Sequence, residues 1–266
     1  MACTHKEFYE DIKEKPIKTV NLEEKSCLSK GFRWYWEKSI GCKQKSFTQY
    51  CMEENRLPQA TKLTITVIKN ETGKQDCIDA AAELKSQTGL YLNGLGIEDI
   101  YPLLGLSHLT ILRLDDNKIS DLYPLSKLEK LRVLRLDKNN ITKINHLSNL
   151  QELVVLRLDQ NNIIDLFPLS SLKKIAQINL SSNKIKSIEP LANLYKLRKV
   201  GLKNNRVETL LPISDLEYLE FIDVEENPIS RDDFVLNDLN CPTAFGVSHA
   251  VVNFCKPRRK EKENIK

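Results

Sequence analysis

The stretch that decides the fold is LRLDDNKISDLYPLSKLEKL, residues 112–131, because the chain repeats its pattern every 22 positions. Two apolar residues, two positions apart, open each of seven copies, from Leu90/Leu92 to Ile222/Val224, with no insertion or deletion. Three positions after the second one, six of the copies have asparagine, and an aliphatic residue follows two positions later. A fixed period of this length is typical of a solenoid, in which each copy forms one coil.

The spacing within a copy predicts the shape of one coil. The alternating pair Leu112/Leu114 fits a short strand with one buried face, because side chains alternate across a strand. The apolar residues that follow are three positions apart, which favours a helical or 3₁₀ return path. Stacked copies then share one core and form a parallel sheet. The recurring asparagines are interpreted as buried structural residues that satisfy backbone groups: Asn117, Asn139, Asn161, Asn183, Asn205 and Asn227.

Residues 112–131 and the next unit, LRLDKNNITKINHLSNLQEL, resemble the 22-residue, internalin-like class of leucine-rich repeat proteins, which is common among secreted bacterial proteins. The resemblance covers about residues 76–255 and implies an α/β leucine-rich repeat solenoid. Such a solenoid is a right-handed curved coil with a parallel concave sheet, a 3₁₀ or helical convex side and cysteine-containing caps at both ends. Binding is implied, but not the ligand. Two positions depart from the pattern: Leu95 replaces the first asparagine, as suits a terminal coil, and His146 replaces the third proline.

Composition divides the chain into five segments. Residues 1–25 are charge-dense, which indicates a linker or disordered tether. Residues 26–88 are interpreted as a cysteine-rich N-terminal element and cap, with a strand at 61–69 in TKLTITVIKN and a helix at 76–87 that Asp76 caps. The repeats occupy 89–229, a C-terminal cap with new apolar spacing occupies 230–255, and 256–266 form a disordered tail.

The seven cysteines all lie outside the regular repeats. Cys241 and Cys255 are expected to form a disulfide in the C-terminal cap, with two buried free thiols as the alternative. Four others, Cys27, Cys42, Cys51 and Cys77, allow three sets of two disulfides. We favour the set that joins Cys27 to Cys42 and Cys51 to Cys77.

Cys3 is the cysteine left over. Alanine directly precedes it in MACT, which resembles the end of a bacterial lipobox and implies a lipid-bearing first residue of a mature lipoprotein. A chance free cysteine is the alternative. Residues 1–15 lack the apolar core of a signal peptide, and no apolar run is long enough for a transmembrane helix. Since disulfides persist in oxidising compartments, we expect an extracytoplasmic protein: periplasmic, on the outer membrane with a lipid tether, or secreted.

Charge and motifs argue against several functions. With 40 basic and 36 acidic residues, the net charge of +4 gives no argument for nucleic acid as a partner. The sequence has no glycine-rich phosphate loop, HExxH or GxSxG motif, and its four histidines are scattered. We therefore expect no enzymatic activity, cofactor or metal. We also expect a monomer.

The candidate binding surface is the set of strand residues that point away from the core. Three consecutive copies carry an aliphatic residue, an arginine and an aspartate there: Ile111, Arg113, Asp115, Val133, Arg135, Asp137, Val155, Arg157 and Asp159. Arginine offers forked donors for carboxylates or peptide carbonyls, and the aliphatic column supplies dry contact. We predict a protein or peptide ligand centred on copies two to four. The later strands would form its rim, where Gly201 leaves a gap beside Lys199 and Lys203. The alternative is a self-neutralising charge ladder left by duplication of one repeat.

Two other function classes stay open. Residues 26–58 concentrate aromatic side chains, which fits a disulfide-stapled element packed on the repeats or the glycan-binding surface of a structural or adhesive envelope protein. A cytosolic regulatory subunit of an enzyme would require every cysteine to be reduced.

Overall fold

The computed structural model describes the backbone of residues 34–37 and 41–44 and the complete residues 45–229. The predicted tether, Cys3, the pairing of Cys27 with Cys42, the C-terminal cap with Cys241 and Cys255, and the tail lie outside the described residues. The described residues divide into two compact units, one of residues up to 86 with 99–106 and the other of residues 87–98 with 107–229.

The described residues of the N-terminal unit form two paired strands and three α-helices. Strands β1 (Trp34–Glu37) and β2 (Gly41–Gln44) pair in antiparallel fashion. The helices are α1 (Phe47–Met52), α2 (Gln59–Thr72) and α3 (Cys77–Ser86), with a 3₁₀ turn at Glu54–Arg56. Ser46 begins α1 with a capping box that Gln49 completes. A disulfide between Cys51 and Cys77 joins α1 to α3.

The strand predicted at 61–69 is wrong, because α2 occupies that stretch. Four of its six buried residues, Thr61, Ile65, Ile68 and Thr72, recur three or four positions apart, and Thr64 and Val67 adjoin them. Helical packing thus prevails over the strand preference of β-branched residues. Both threonine hydroxyls donate to Asp99, that of Thr61 to Oδ2 and that of Thr64 to the backbone carbonyl, each at 2.6 Å. Asp99 lies 38 positions after Thr61 and 35 positions after Thr64, so these contacts leave no local signal in the sequence.

The boundaries of α2 and α3 do have local signals. Gly73 ends α2 in the left-handed conformation, at φ +67°, which glycine adopts without a steric cost. Asp76 caps α3, since its Oδ1 accepts hydrogen bonds from the backbone N–H groups of Ile78 and Asp79 at 2.8 and 3.1 Å. The bonds from Asp79 and Ile78 hold the pKa of Asp76 below its usual value.

The second unit contains a parallel sheet of seven strands in chain order. The strands are β3 (Gly89–Tyr91), β4 (Ile111–Arg113), β5 (Val133–Arg135), β6 (Val155–Arg157), β7 (Gln177–Asn179), β8 (Lys199–Gly201) and β9 (Phe221–Asp223). Each residue lies opposite the one 22 positions later, as Leu112 does with Leu134. The central residue of every strand is buried, and its neighbours face outward. The period therefore predicted the sheet and its register correctly.

Short 3₁₀ turns carry the chain back between strands, and five of the six have proline in their first turn. The turns are Tyr101–Leu103, Tyr123–Lys127, Asn145–Leu147, Phe167–Leu169, Glu189–Asn193 and Leu211–Ile213. His146 replaces proline without loss of its turn, and its ring lies edge-on to that of Tyr123 with centroids 5.4 Å apart. The predicted 3₁₀ return path is confirmed.

The asparagines tie consecutive coils together. Asn139 Nδ2 donates to the carbonyl of Leu114 in the preceding coil at 2.9 Å and to that of Leu136 in its own coil at 3.1 Å. Its Oδ1 accepts from the N–H of Ile119 at 2.9 Å. Because each asparagine reaches back to the preceding coil, and β3 is the first strand of the sheet, Leu95 in the first coil has no such role to fill.

Candidate functional site

One surface, here called the open face, is formed by the first and last residues of each strand β3–β9 and by the residue two positions after the strand ends. Its columns follow from the register, which places Arg113 opposite Arg135 and Arg135 opposite Arg157. These three residues, the arginine row, are all half-buried. Ile111, Val133 and Val155 form the parallel aliphatic column, and Asp115, Asp137 and Asp159 form the aspartate column.

The arginine row is not evenly paired with the aspartate column. Nε of Arg157 lies 3.5 Å from Oδ1 of both Asp137 and Asp159. The guanidinium of Arg113 instead lies 5.3 Å from the ring centre of Tyr91, in a cation–π contact. Within the part of the chain that the structure describes, no carboxylate lies within 4.0 Å of the guanidinium nitrogens of Arg113 or Arg135.

Several polar atoms of these columns are buried without a hydrogen-bond partner. They are Nε of all three members of the arginine row and Oδ1 of Asp115 and Asp137. Each such atom costs stability, and native proteins contain few of them. A repeated cost of this kind on one face favours a functional explanation over a purely structural one.

The environment of the Asp137 carboxylate is also unfavourable to its charge. Burial raises the pKa of Asp137, and the neighbouring carboxylates of Asp159 and Asp115 raise it further. Arg157 offsets part of this effect. Arg157 therefore does not fully offset the effects of burial and of the neighbouring carboxylates on Asp137.

A depression of about 350 Å³ lies on the open face over β5–β9. Its outward-facing lining residues are Arg135, Val155, Arg157, Gln177, Asn179, Ser181, Lys199, Gly201, Phe221 and Asp223. It shares only Arg135, Val155 and Arg157 with the nine residues predicted as the binding site. The later strands, expected to form a rim, thus supply most of the lining.

The gap expected beside Gly201 is filled by Asn179. A Cβ on Gly201 would lie 3.0 Å from Cγ of Asn179 and closer still to its Oδ1. The Asn179 amide is fixed there, because Nδ2 donates to Oδ1 of Asp159 at 2.8 Å and Oδ1 accepts from the Ser181 hydroxyl at 2.8 Å. Gly201 therefore leaves space for the hydrogen-bonded side chain of Asn179, which forms the floor of the depression.

The two lysines beside Gly201 have different surroundings. Nζ of Lys203 lies 3.0 Å from Glu225 and 3.3 Å from Glu226, and the hydrogen bonds to these residues, that to Glu225 first, raise the pKa of Lys203. Lys199 lies between Gln177 and Phe221 in its column and is exposed. Among the described residues, no carboxylate lies within 4.0 Å of its ammonium group.

No group of three or more His, Cys, Asp or Glu side chains within residues 45–229 is arranged to hold a metal ion. None of the helices described above combines the length and apolar character needed to cross a membrane.

Comparison with known proteins agrees with this architecture. The family described as "Leucine Rich repeats (2 copies)" matches residues 107–149. No curated protein matches the chain.

Solved structures of bacterial leucine-rich repeat proteins are similar to this protein. Internalin C2 of Listeria monocytogenes is 29% identical, with a TM-score of 0.51 over 62% of this chain and 84% of that one. A leucine-rich repeat protein of Leptospira interrogans is 24% identical, with a TM-score of 0.52. That match covers 58% of this chain and 47% of the Leptospira chain, so this protein spans about half the length of its Leptospira counterpart. Together with the seven-stranded parallel sheet, these matches show that the chain folds as a leucine-rich repeat solenoid, similar to bacterial internalins.

Proposed function

We propose that this protein is a non-enzymatic module that binds a protein or peptide on its open face. Leucine-rich repeat solenoids generally bind their partners through extended surfaces of this kind. The observation that carries the proposal is a row of arginines, incompletely paired with carboxylates, that runs into a depression on the same face. Guanidinium groups held in this way can donate to carboxylates or backbone carbonyls of a partner.

The self-neutralising ladder accounts less well for these contacts. If the arginines served only to balance the aspartates, each would be expected near a carboxylate, whereas among the described residues only Arg157 of the row is within 4.0 Å of one. The buried Nε atoms of Arg113 and Arg135, which have no hydrogen-bond partner, would then lower the stability of the fold without serving a function.

A random 12-residue peptide library displayed on phage tests the proposal. The protein is immobilised, and binding of the selected pool is compared with that to the variant Arg113→Ala/Arg135→Ala/Arg157→Ala. A matched control, Lys127→Ala/Lys130→Ala/Lys196→Ala, removes three exposed cations from the return path. We expect the arginine variant to bind at least about tenfold more weakly and the control to bind like the parent. Equal binding by all three proteins would refute a site on the open face.

The proposed compartment is the bacterial cell envelope or exterior. The disulfide between Cys51 and Cys77 supports it, because such bonds persist in oxidising compartments. Alkylation of the protein directly after lysis of its own cells tests this, since both cysteines should react only after reduction. Free thiols at both positions would favour a cytosolic regulatory subunit instead.

A lipid tether at Cys3 and a monomeric state belong to the same proposal. The intact mass of protein extracted from membranes reports the lipid, and light scattering on the purified protein reports the oligomeric state. Glycan binding by residues 26–58 stays a prediction from their aromatic composition.

A further inference from the structure

We propose that the depression binds an acidic segment of a partner protein, held in an extended conformation across β5–β8. One carboxylate of the segment meets Arg135, and a second, about four residues away, meets Lys199. This inference rests on the proposed function of the open face and specifies the chemistry of its ligand.

The charge of the lining favours an acidic ligand. Three cations, Arg135, Arg157 and Lys199, face one carboxylate, Asp223. Oδ1 of Asp223 already accepts the backbone N–H of Glu225 at 3.2 Å. Arg157 is shared between Asp137 and Asp159, so Arg135 and Lys199 are the cations with most capacity for a ligand.

The separation of these two cations favours a chain over a small anion. Arg135 lies on β5 and Lys199 on β8, three strand intervals apart. Neighbouring strands are roughly 4.8 Å apart, which gives roughly 14 Å along the stack. Arg135 is the last residue of its strand and Lys199 is the first, which adds roughly 7 Å along the strand direction and makes the backbone separation roughly 16 Å. The long side chains of Arg135 and Lys199 can shorten this span by a few ångströms. A single phosphate or carboxylate cannot contact both groups. An extended peptide advances about 3.3 Å per residue, so residues i and i+4 would be roughly 13 Å apart, with their side chains on the same side.

The surface between the cations suits the middle of such a segment. The side-chain amide of Asn179 is already hydrogen-bonded to Asp159 and Ser181, so it forms a fixed and uncharged floor of the depression. Val155 and Gln177 lie opposite each other in the adjoining column and offer an aliphatic contact and an exposed amide. Position i+2 of the ligand would face this region, where an uncharged side chain fits better than a third carboxylate.

A basic segment fits less well. The side chains of Asp137 and Asp159 are only 13% and 11% exposed, and both carboxylates lie beside Arg157. They offer little accessible surface to an incoming ammonium group, whereas Lys199 is exposed.

The test uses fluorescent ten-residue peptides with an uncharged Gly/Ser/Ala background. One peptide carries two glutamates at positions i and i+4, and matched peptides carry two glutamines, two lysines, or glutamates at i and i+3. Binding to the full chain is followed by fluorescence anisotropy. The protein variants are Lys199→Glu and Arg135→Gln, with Lys196→Glu as the control, because Lys196 is exposed on the return path of the coil that contains Lys199.

We expect the diglutamate i, i+4 peptide to bind about tenfold more tightly than the diglutamine peptide, and each site variant to lose about the same factor. The i, i+3 peptide should bind more weakly, because its second carboxylate points away from the sheet. Lys196→Glu should have little effect. Replacing the second glutamate with lysine should recover binding to Lys199→Glu.

Three results would overturn the inference: equal binding of the glutamine or lysine peptide, no binding of the diglutamate peptide at about 1 mM, or equal competition by a single-stranded oligonucleotide. If the phage-selected pool still depends on the arginine row but contains no acidic pairs, the inference fails while the proposed function stands. If the pool does not depend on the arginine row, the proposed function fails.

Discussion

At the scale of single residues, the six recurring asparagines, here called the asparagine ladder, form hydrogen bonds with backbone groups of the preceding coil as well as of their own. Asn161 donates to the carbonyls of Leu136 and Leu158 at 2.9 and 3.0 Å and accepts from the N–H of Ile141 at 3.0 Å. These bonds span two coils and lie in a buried environment. The side chain therefore holds together the corner where the chain leaves the strand.

Asn161→Ala should lower the free energy of unfolding by about 2 kcal/mol or more, because it leaves buried backbone groups without partners. Urea denaturation followed by circular dichroism measures the change. Asn149→Ala, outside the ladder on the return path, is the matched control and should change stability by less than about 0.5 kcal/mol. Equal effects of the two substitutions would argue against the ladder.

A second residue-scale feature is the left-handed conformation that precedes each asparagine. Non-glycine residues adopt φ between 54° and 58° at six such positions: Asp116, Lys138, Gln160, Ser182, Asn204 and Glu226. The first coil has Gly94 there, at φ +72°. The varied side chains provide no sequence signal, since no residue type recurs.

Lys138→Gly should raise the free energy of unfolding by about 0.5–1 kcal/mol, because glycine avoids the steric cost of the left-handed region. Lys138→Ala keeps that cost and is the control. A midpoint of thermal unfolding that rises equally for both variants would show that the charge, and not the backbone, is responsible.

Asp137 makes stability depend on pH. Its pKa is raised by burial and by Asp159, so the folded state binds this proton more tightly than the unfolded state does. The carboxylate consequently destabilises the fold above its folded pKa, and the penalty disappears as pH falls below the ordinary aspartate range. Asp137→Asn should be more stable than the parent at pH 7 and equal to it near pH 3, as urea titrations at both values would show. A constant difference across this range would contradict the assignment.

At the scale of elements, helix α2 shows where sequence patterns are insufficient. TKLTITVIKN alternates apolar and polar residues and is rich in β-branched residues, so its composition favours a strand. The helix is stabilised by contacts of Thr61 and Thr64 with Asp99, which are distant in sequence. Gly73 was a usable local signal, because glycine directly after an apolar periodic segment often ends a helix. The repeats were easier to predict, since seven copies report the same pattern.

The disulfide between α1 and α3 is the element-scale contact with the clearest energetic consequence. Cys51 and Cys77 are 26 positions apart. Closing a loop of this length raises the free energy of unfolding by about 3.5 kcal/mol in the chain-entropy account. Cys51→Ala/Cys77→Ala should therefore speed amide hydrogen exchange in α1–α3. Exchange in the central strands β5–β7 should change much less, because stacked repeats are stabilised mainly by their neighbours. Uniformly faster exchange throughout the sheet would indicate that the disulfide supports the repeats as well.

At the scale of the whole molecule, the period determined which residues share the open face but not how they are used. The constant repeat length is enough to place Arg113, Arg135 and Arg157 in one row. It could not show that Asn179 covers Gly201, because that depends on hydrogen bonds between side chains of neighbouring coils. Nor could it place the depression over the later strands, where the copies differ most from one another.

Photo-cross-linking measures most directly whether the open face binds peptide. A photoreactive benzoylphenylalanine replaces Gln177, which is exposed and lines the depression, or Lys196, which is exposed on the return path. The phage-selected peptides should become covalently attached to the protein altered at 177 and not to the protein altered at 196, and excess unlabelled peptide should prevent the reaction. Equal attachment at both positions, or attachment at 196 alone, would contradict the binding surface proposed for this protein.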